Sequence, residues 1–266
     1  MYESVNRSGL LNSMLIRSAY ISIYFMYKKH IEDSYARLVK HHPHLFCSGN
    51  ILDIGANIGY TSFVFSRAIQ EPFKIHAFEP EHRNIQFLKQ SSLKYNFSNQ
   101  LVSVPKAVGN MEGEIDLWEN EAHNGDHRIL TDEFKKQIQG QIKIQRIPII
   151  TIDNYVKKMG INFPISFIKI DVQGYELAVC QGMIETLTQN QTAVIGFEYC
   201  PSILDTLGFN PKELLQFFQE RDYQFYILDN KNKIQPYDIE QGHVNLDKKK
   251  PHDYIDLICA RRSLCT

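Results

Sequence analysis

An α/β fold, with a mostly parallel sheet covered by helices on both faces, is predicted for this 266-residue chain by three observations. From Asn50 onward, short apolar runs alternate with stretches of helical periodicity, the pattern of strands buried on both faces by crossover helices. The first of these runs, Asn50-Ile51-Leu52-Asp53-Ile54, carries an acid near its end and opens directly into the glycine turn Gly55-Ala56-Asn57-Ile58-Gly59. A second strand, Phe73 to Phe78, also ends in an acid, Glu79, 24 residues beyond Gly55. Strand, acid, glycine turn, helix, strand and acid together describe a βαβ unit of the kind that seats a nucleotide-type ligand at a helix N-terminus.

Ahead of that unit, residues 9 to 40 read as one or two helices. Between residues 8 and 27 the only charge is Arg17, among Leu10, Leu11, Met14, Leu15, Ile16, Ile21, Ile23, Phe25 and Met26. Serine and asparagine interruptions and that arginine argue against a membrane span, and no small-residue cleavage site follows a basic segment as in a signal peptide. A helix packed on the domain is the expectation; weak contact with a membrane surface, a partner or a second copy of the chain is its other use. His41-His42-Pro43-His44 ends the helix, and with no acid or thiolate at ligand spacing it reads as a proline-broken turn rather than a metal site.

Seven strands are expected near 50–54, 73–79, 101–107, 165–171, 192–198, 223–228 and 254–260, with helices near 59–69, 81–95, 151–159, 175–188 and 211–221. Asn210-Pro211 supplies the cap and first position of the last helix. Between strands three and four runs an excursion of nearly 60 residues, with a strand pair at Glu114 to Trp118 and Ile142 to Ile147 and a polar, lid-like middle at about 119–140. The expected organisation is an N-terminal helical extension over 1–46 and a single domain over 47–266. With 29 basic against 30 acidic residues, composition shows no footprint for nucleic acid. Five cysteines without a Cys-x-x-Cys pair disfavour a zinc ribbon or a disulfide framework and fit reduced thiols in a cytoplasmic protein.

A dinucleotide loop requires Gly-x-Gly-x-x-Gly, whereas here the second and third glycine positions hold Asn57 and Tyr60, and Asp53 precedes the turn. An acid aimed into the loop repels a pyrophosphate and suits a cationic amine. S-adenosylmethionine, with its amino acid tail, sulfonium, ribose and adenine, meets that description. Gly55 and Gly59 would let backbone approach it, Asn57 offers a donor and an acceptor, and Thr61 lies in the first helical turn. Glu79 is placed to accept the ribose hydroxyls, with Ala107 and Val108, at the end of the third strand, flanking the adenine.

Four blocks, Asp53-Ile-Gly-Ala-Asn-Ile-Gly59, Ala77-Phe-Glu-Pro80, Pro105-Lys-Ala-Val108 and Ile168-Lys-Ile-Asp-Val-Gln-Gly174 followed by Glu176, resemble the FkbM-type family of class I S-adenosylmethionine-dependent methyltransferases over about Asn50 to Asp229. The resemblance implies a Rossmann-like seven-stranded sheet with an antiparallel final strand. It also implies O-methylation of a small-molecule, glycan, glycolipid or natural-product acceptor. The family commonly has Glu where this chain has Gln173, so no obligatory metal is expected. Asp171, at the end of the fourth strand, and Glu198, at the end of the fifth, stand at the mouth of the site as catalytic candidates. In the lid, Asp126 and His127 are further candidates, His127 as the base for a hydroxyl proton. The alternatives are an NAD(P)-dependent oxidoreductase or epimerase, which Asp53 and Tyr60 disfavour, and a non-catalytic cofactor-binding scaffold, against which the set Asp53, Glu79 and Asp171 speaks. The lid and the Lys248-Lys-Lys250-Pro251 turn are expected to help choose the acceptor.

Overall fold

The computed structural model describes residues 14–31, 34–120, 126–138, 142–160, 163–240 and 253–265. The Lys248 to Pro251 turn and two pieces of the expected lid, 121–125 and 139–141, lie outside them. The N-terminal region forms α1 (Met14–Ile31) and α2 (Ser34–His41), the latter stopped by a single turn of tighter helix at Pro43–Leu45. There follow β1 (Asn50–Ile54), α3 (Tyr60–Phe65), β2 (Ile75–Phe78), α4 (His82–Lys94) and β3 (Leu101–Val104). The excursion contains β4 (Ala107–Val108), β5 (Gly113–Glu119), β6 (Arg128–Ile129), α5 (Asp132–Gln137) and β7 (Lys143–Ile150). The second half runs α6 (Ile152–Met159), β8 (Ile165–Ile170), α7 (Glu176–Gln181), α8 (Ile184–Gln189), β9 (Val194–Tyr199), α9 (Pro201–Thr206), α10 (Pro211–Gln219), β10 (Gln224–Leu228), β11 (Ile234–Pro236) and β12 (Ile255–Ala260).

The main sheet has the order β11-β10-β12-β9-β8-β1-β2-β3. Strands β3, β2, β1, β8 and β9 are mutually parallel, and β12 inserts antiparallel between β9 and β10. All seven expected strands are present, with the final one antiparallel; the eighth, β11, is a three-residue edge strand. Every residue of β1 and β8 is buried, as continuous apolar strands covered on both sides must be. Side chains of successive residues leave opposite faces, so Ile51, Phe167 and Val194 pack with α1, α2 and α3. Their neighbours Leu52, Ile168 and Ile195 pack with α6, α7 and α10.

Helix α1 is docked rather than loose. Phe25 stacks on Tyr95 with ring centroids 4.7 Å apart and meets Tyr60 edge-on at 5.3 Å. Tyr20 lies 5.5 Å from Phe87 of α4, and Lys94 of the same helix donates to the Ser18 carbonyl at 2.6 Å. Burying aromatic rings such as Phe25 stabilises by about 1.5–3 kcal/mol each, which fixes the helix against α3 and α4. No described helix is long and apolar enough to cross a membrane.

Three expectations are corrected by the chain path. The third strand ends at Val104, because Pro105 has no N–H for the ladder and Lys106 turns back to donate to the Val104 carbonyl at 2.9 Å. Ala107 and Val108 therefore form β4 in a separate four-stranded sheet of order β4-β7-β5-β6. The polar middle of the excursion is not all loop, since it contributes β6 and α5, whose Phe134 packs edge-on against Trp118 at 5.4 Å. The helix expected over 175–188 is split at Gly182, where a Cβ would fall 2.0 Å from the Gly109 carbonyl oxygen.

Candidate active site

The carboxyl-terminal ends of β1, β2, β8 and β9 open into one cavity of about 500 Å³. Its floor is the glycine turn. Gly55 has φ +78°, and a Cβ there would fall 1.8 Å from the backbone oxygen of Asp171, so only glycine lets the turn pass beside the end of β8. The amides of Gly55 and Ala56 both donate to the Phe78 carbonyl, at 3.0 and 2.9 Å, tying the turn to the end of β2. Gly59 serves another purpose: at φ +91°, with its absent Cβ 2.5 Å from a Leu88 methyl, it seats α3 against α4 and is not part of the cavity wall. Gly55, Asn57 and Thr61 are on the wall.

Glu79 also lines the cavity and holds its edge together. Its Oε2 accepts the Asn57 amide at 2.9 Å, and its Oε1 accepts the Glu81 amide at 2.9 Å. Burial pushes its carboxyl up to about 7 against the pull of those hydrogen bonds. Glu176 behaves alike, accepting the Val172 and Gly174 amides at 3.0 and 3.1 Å, and burial pushes it up to about 7 as well. A carboxyl whose folded pKa is raised binds its proton more tightly folded than unfolded, so stability is lost as pH climbs from the ordinary carboxylate range towards 7. The buried His76, lowered to about 4, works in the opposite direction, losing stability on acidification. Thermal denaturation at pH 5.5 and 7.5 is therefore expected to show a smaller loss on going to pH 7.5 in Glu79→Gln/Glu176→Gln than in the parent, a comparison in which the His76 contribution cancels.

Asp53 is placed differently from its sequence expectation. Its carboxylate is fully buried beneath the turn, where Oδ2 accepts the Ser62 hydroxyl at 2.6 Å and Oδ1 lies 3.5 Å from Lys169 Nζ; it is not on the wall. Burial raises its pKa and Lys169 opposes that. Asp171 is the acid beside the turn that does reach the cavity, its side chain 33% exposed. It accepts Gln173 Nε2 at 3.0 Å and lies 3.4 Å from Lys169. Burial alone would raise it, but the ammonium groups of Lys169 and then Lys28 outweigh burial and hold it below the usual carboxylate range. Glu198 ends β9 directly opposite Asp256 of β12 and lines the same cavity. Burial first, then Asp171, Glu176 and Asp256, drive its carboxyl well above the ordinary range, with Lys169 opposing.

His127 lines the cavity too, but its hydrogen bonding contradicts the role of base. Nδ1 accepts the backbone amide of Asn120 at 3.1 Å, so in the neutral ring the hydrogen sits on Nε2, which then has no lone pair for a hydroxyl proton. Asp126 is committed to Arg128 Nε at 2.7 Å and Asn120 Nδ2 at 3.0 Å. Ala107 and Val108 are buried in the second sheet, off the cavity; Leu117 and Ile129 of that sheet line it instead. Among the described residues no group of three or more His, Cys, Asp or Glu is arranged to hold a metal.

Two contributions were not foreseen. Lys169, 2% exposed, donates to the Gly55 carbonyl at 2.8 Å while facing both Asp53 and Asp171. Its signal was a lone charge inside Ile168-Lys169-Ile170, where a strand buried on both faces should carry none. The second is an aromatic edge of α1: Tyr20, Tyr24, Tyr27 and Lys28, spaced along one face, line the cavity together with Tyr254.

The sequence profile of the Methyltransferase FkbM domain matches residues 53–225. Among solved structures, a methyltransferase FkbM from Methylobacillus flagellatus is 16% identical, with a TM-score of 0.50 over 88% of this chain and 50% of its own, so the chain spans half the length of that protein. An O-methyltransferase from Bacillus cereus is 9% identical (TM-score 0.49, 97% of this chain and 96% of its own). The O-methyltransferase TomG from Streptomyces achromogenes is 10% identical (TM-score 0.47, 84% and 77%). No curated protein matches this chain by sequence. With the profile covering more than half of its length and a class I strand order beneath it, the chain belongs to the FkbM family of methyltransferases, whose methyl donor is S-adenosylmethionine.

Proposed function

We propose that the protein moves the methyl group of S-adenosylmethionine onto a hydroxyl oxygen of a sugar, glycan, glycolipid or natural-product acceptor. The observation that carries this reading is the shared cavity: the Glu79-braced glycine turn and the carboxylates Asp171 and Glu198 open into the same space. At about 500 Å³ it falls within the range of small-molecule and cofactor sites. Beside the glycine turn it is lined by the polar side chains of Asn57, Thr61, Glu79 and Asp171, a set of hydrogen-bonding groups and carboxyls suited to an amino acid tail and a ribose. The residues present therefore fit the donor. Gly55, Asn57 and Thr61 would hold its methionine portion against the turn, and Glu79 would take the ribose hydroxyls. Asp53 contributes from beneath, through Lys169, and the ionised acid facing the cationic portion is Asp171.

When bound, the donor supplies an electrophilic methyl group on a sulfonium. The protein's work is to place an acceptor oxygen in line with it, an effect worth up to about 7–11 kcal/mol. Two carboxyl groups with pKa values pushed apart divide the tasks. Asp171, held ionised, supplies counter-charge, and Glu198, with its raised proton affinity, takes the hydroxyl proton. On the acceptor side, Tyr27 and Tyr254 supply aromatic faces, and Gln173 and the acids supply hydrogen bonds. That combination suits a polyhydroxylated ring.

Incubation with labelled methyl donor and a panel of glycans, glycosides and hydroxylated natural products, followed by mass spectrometry, is expected to place the label on oxygen. Label on nitrogen or carbon would overturn the reading. Calorimetric titration with S-adenosylhomocysteine should show binding to the parent protein and a loss of about 10- to 100-fold in Glu79→Ala, the magnitude of removing a charged hydrogen-bond acceptor. Equal affinity in that variant would refute the ribose role.

A further inference from the structure

We infer that α1 seats the protein on the surface of an anionic bilayer, with Ile23, Met26 and Tyr27 among the lipid headgroups and the cations of α1 and α4 facing the lipid phosphates. The three side chains recur at i, i+3 and i+4, which places them on one face of the helix, and they are 53%, 58% and 48% exposed. The opposite face is already occupied, since Ile21 and Phe25 are buried and Phe25 packs on Tyr60 and Tyr95. An exposed apolar stripe on a helix that is otherwise docked marks an interaction surface. No described helix is long and apolar enough to cross a membrane, so α1 would lie along the bilayer rather than span it.

Charge selects the occupant. In a chain with 29 basic and 30 acidic residues, α1 carries Arg17, Lys28 and Lys29 and α4 carries Arg83, Lys89 and Lys94, and neither helix contains an aspartate or glutamate. Glu32 and Asp33, which follow α1 in sequence, lie outside the described residues. Lys94 donates to the Ser18 carbonyl and the Ser22 hydroxyl, both at 2.6 Å, which holds its exposed ammonium on the seam between the two helices. Lys29, also exposed, stands two turns beyond Ser22 on the same flank of α1. Apolar side chains flanked by such cations match anionic phospholipid, where burial of apolar area and attraction to the headgroups act together. A two-fold contact between copies through this face would instead set the cations of one copy against those of the other, and a nucleic acid would leave Ile23 and Met26 in water. Tyr27 also lines the cavity, so the helix that meets the bilayer is a wall of the site and holds it at headgroup level.

The test is co-sedimentation with vesicles of phosphatidylcholine alone and of equal parts phosphatidylcholine and phosphatidylglycerol. The parent is expected to sediment with the anionic vesicles, to stay off the neutral ones and to be released by salt. Lys29→Gln should weaken partitioning about fivefold, and Ile23→Ser/Met26→Ser by more than about tenfold. Both variants alter exposed side chains outside the cavity, so their circular dichroism and their affinity for S-adenosylhomocysteine should match the parent's. A parent that stays off anionic vesicles, or binds neutral ones equally, overturns the inference, and so does undiminished partitioning of Ile23→Ser/Met26→Ser. Dimerisation of the parent in light scattering that is abolished in Ile23→Ser/Met26→Ser overturns it in favour of a second copy of the chain. Failure of the parent to bind S-adenosylhomocysteine overturns the donor reading instead, and the vesicle result stands.

Discussion

Lys169→Met is expected to lower stability by about 3–5 kcal/mol in urea denaturation, the usual consequence of removing one partner from a buried charge cluster. The lysine is 2% exposed, with Asp53 at 3.5 Å and Asp171 at 3.4 Å. Without the ammonium, the buried Asp53 keeps only the Ser62 hydroxyl, Asp171 keeps Gln173 and the more distant charge of Lys28, and the Gly55 carbonyl loses its donor at 2.8 Å. The penalty is one of leaving charge buried, so Lys169→Met/Asp53→Asn should recover part of it. A single-variant loss under about 1 kcal/mol, or a double variant no more stable than the single, would show that the triad is not the brace described.

In Glu198→Gln, turnover should fall about 10²- to 10⁴-fold, the contribution of a positioned proton acceptor, while the affinity for S-adenosylhomocysteine holds. The sign of the pH profile follows from the groups around it. Burial, Asp171, Glu176 and Asp256 raise the carboxyl, and Lys169 lowers it. A base must be deprotonated to act, so the parent's rate should decline as pH falls through a value well above that of an ordinary carboxylate. In Asp171→Asn a like charge is removed and Lys169 is left with less to neutralise, so this acid limb should move to lower pH. A limb that stays in place in Asp171→Asn, or a Glu198→Gln variant of undiminished turnover, would exclude Glu198 as the proton acceptor.

The parts of the fold legible in the sequence were those whose physics is local. Strands β1, β2, β8 and β9 show as apolar runs because both their faces are covered, and the turn after β1 shows because its glycines occupy backbone angles and spaces closed to other residues. Strand β11 was illegible, since two of its three residues are exposed at a sheet edge. The six-residue α9 lacks enough turns to establish a period. Ala107 and Val108 were misplaced because Pro105 diverts the chain out of the main sheet, a tertiary outcome that an apolar pair cannot announce. At the site, Glu79, Asp171 and Glu198 were read from their position at strand ends, and the structure brings all three to one cavity. The donor character of His127 depended on a backbone amide seven residues earlier, and the burial of Asp53 on Ser62 and Lys169, so neither was available from residue types alone.

Strand β4 pairs in parallel with the end of β7, Ala107 against Ile149 and Val108 against Ile150. The points where the chain leaves and rejoins the main body are thus zipped side by side, and the described residues between them pack their apolar face, Leu117, Ile129 and Phe134, onto Ala178 of α7 and Ile203 of α9 as one cassette. Closing a loop whose ends are already adjacent adds little entropy penalty for extra length. A replacement cassette that keeps that apolar face is expected to leave the strand order beneath it unchanged. Since Leu117, His127 and Ile129 line the cavity, such a graft would change one of its walls while Asp171 and Glu198 stay on the unaltered scaffold.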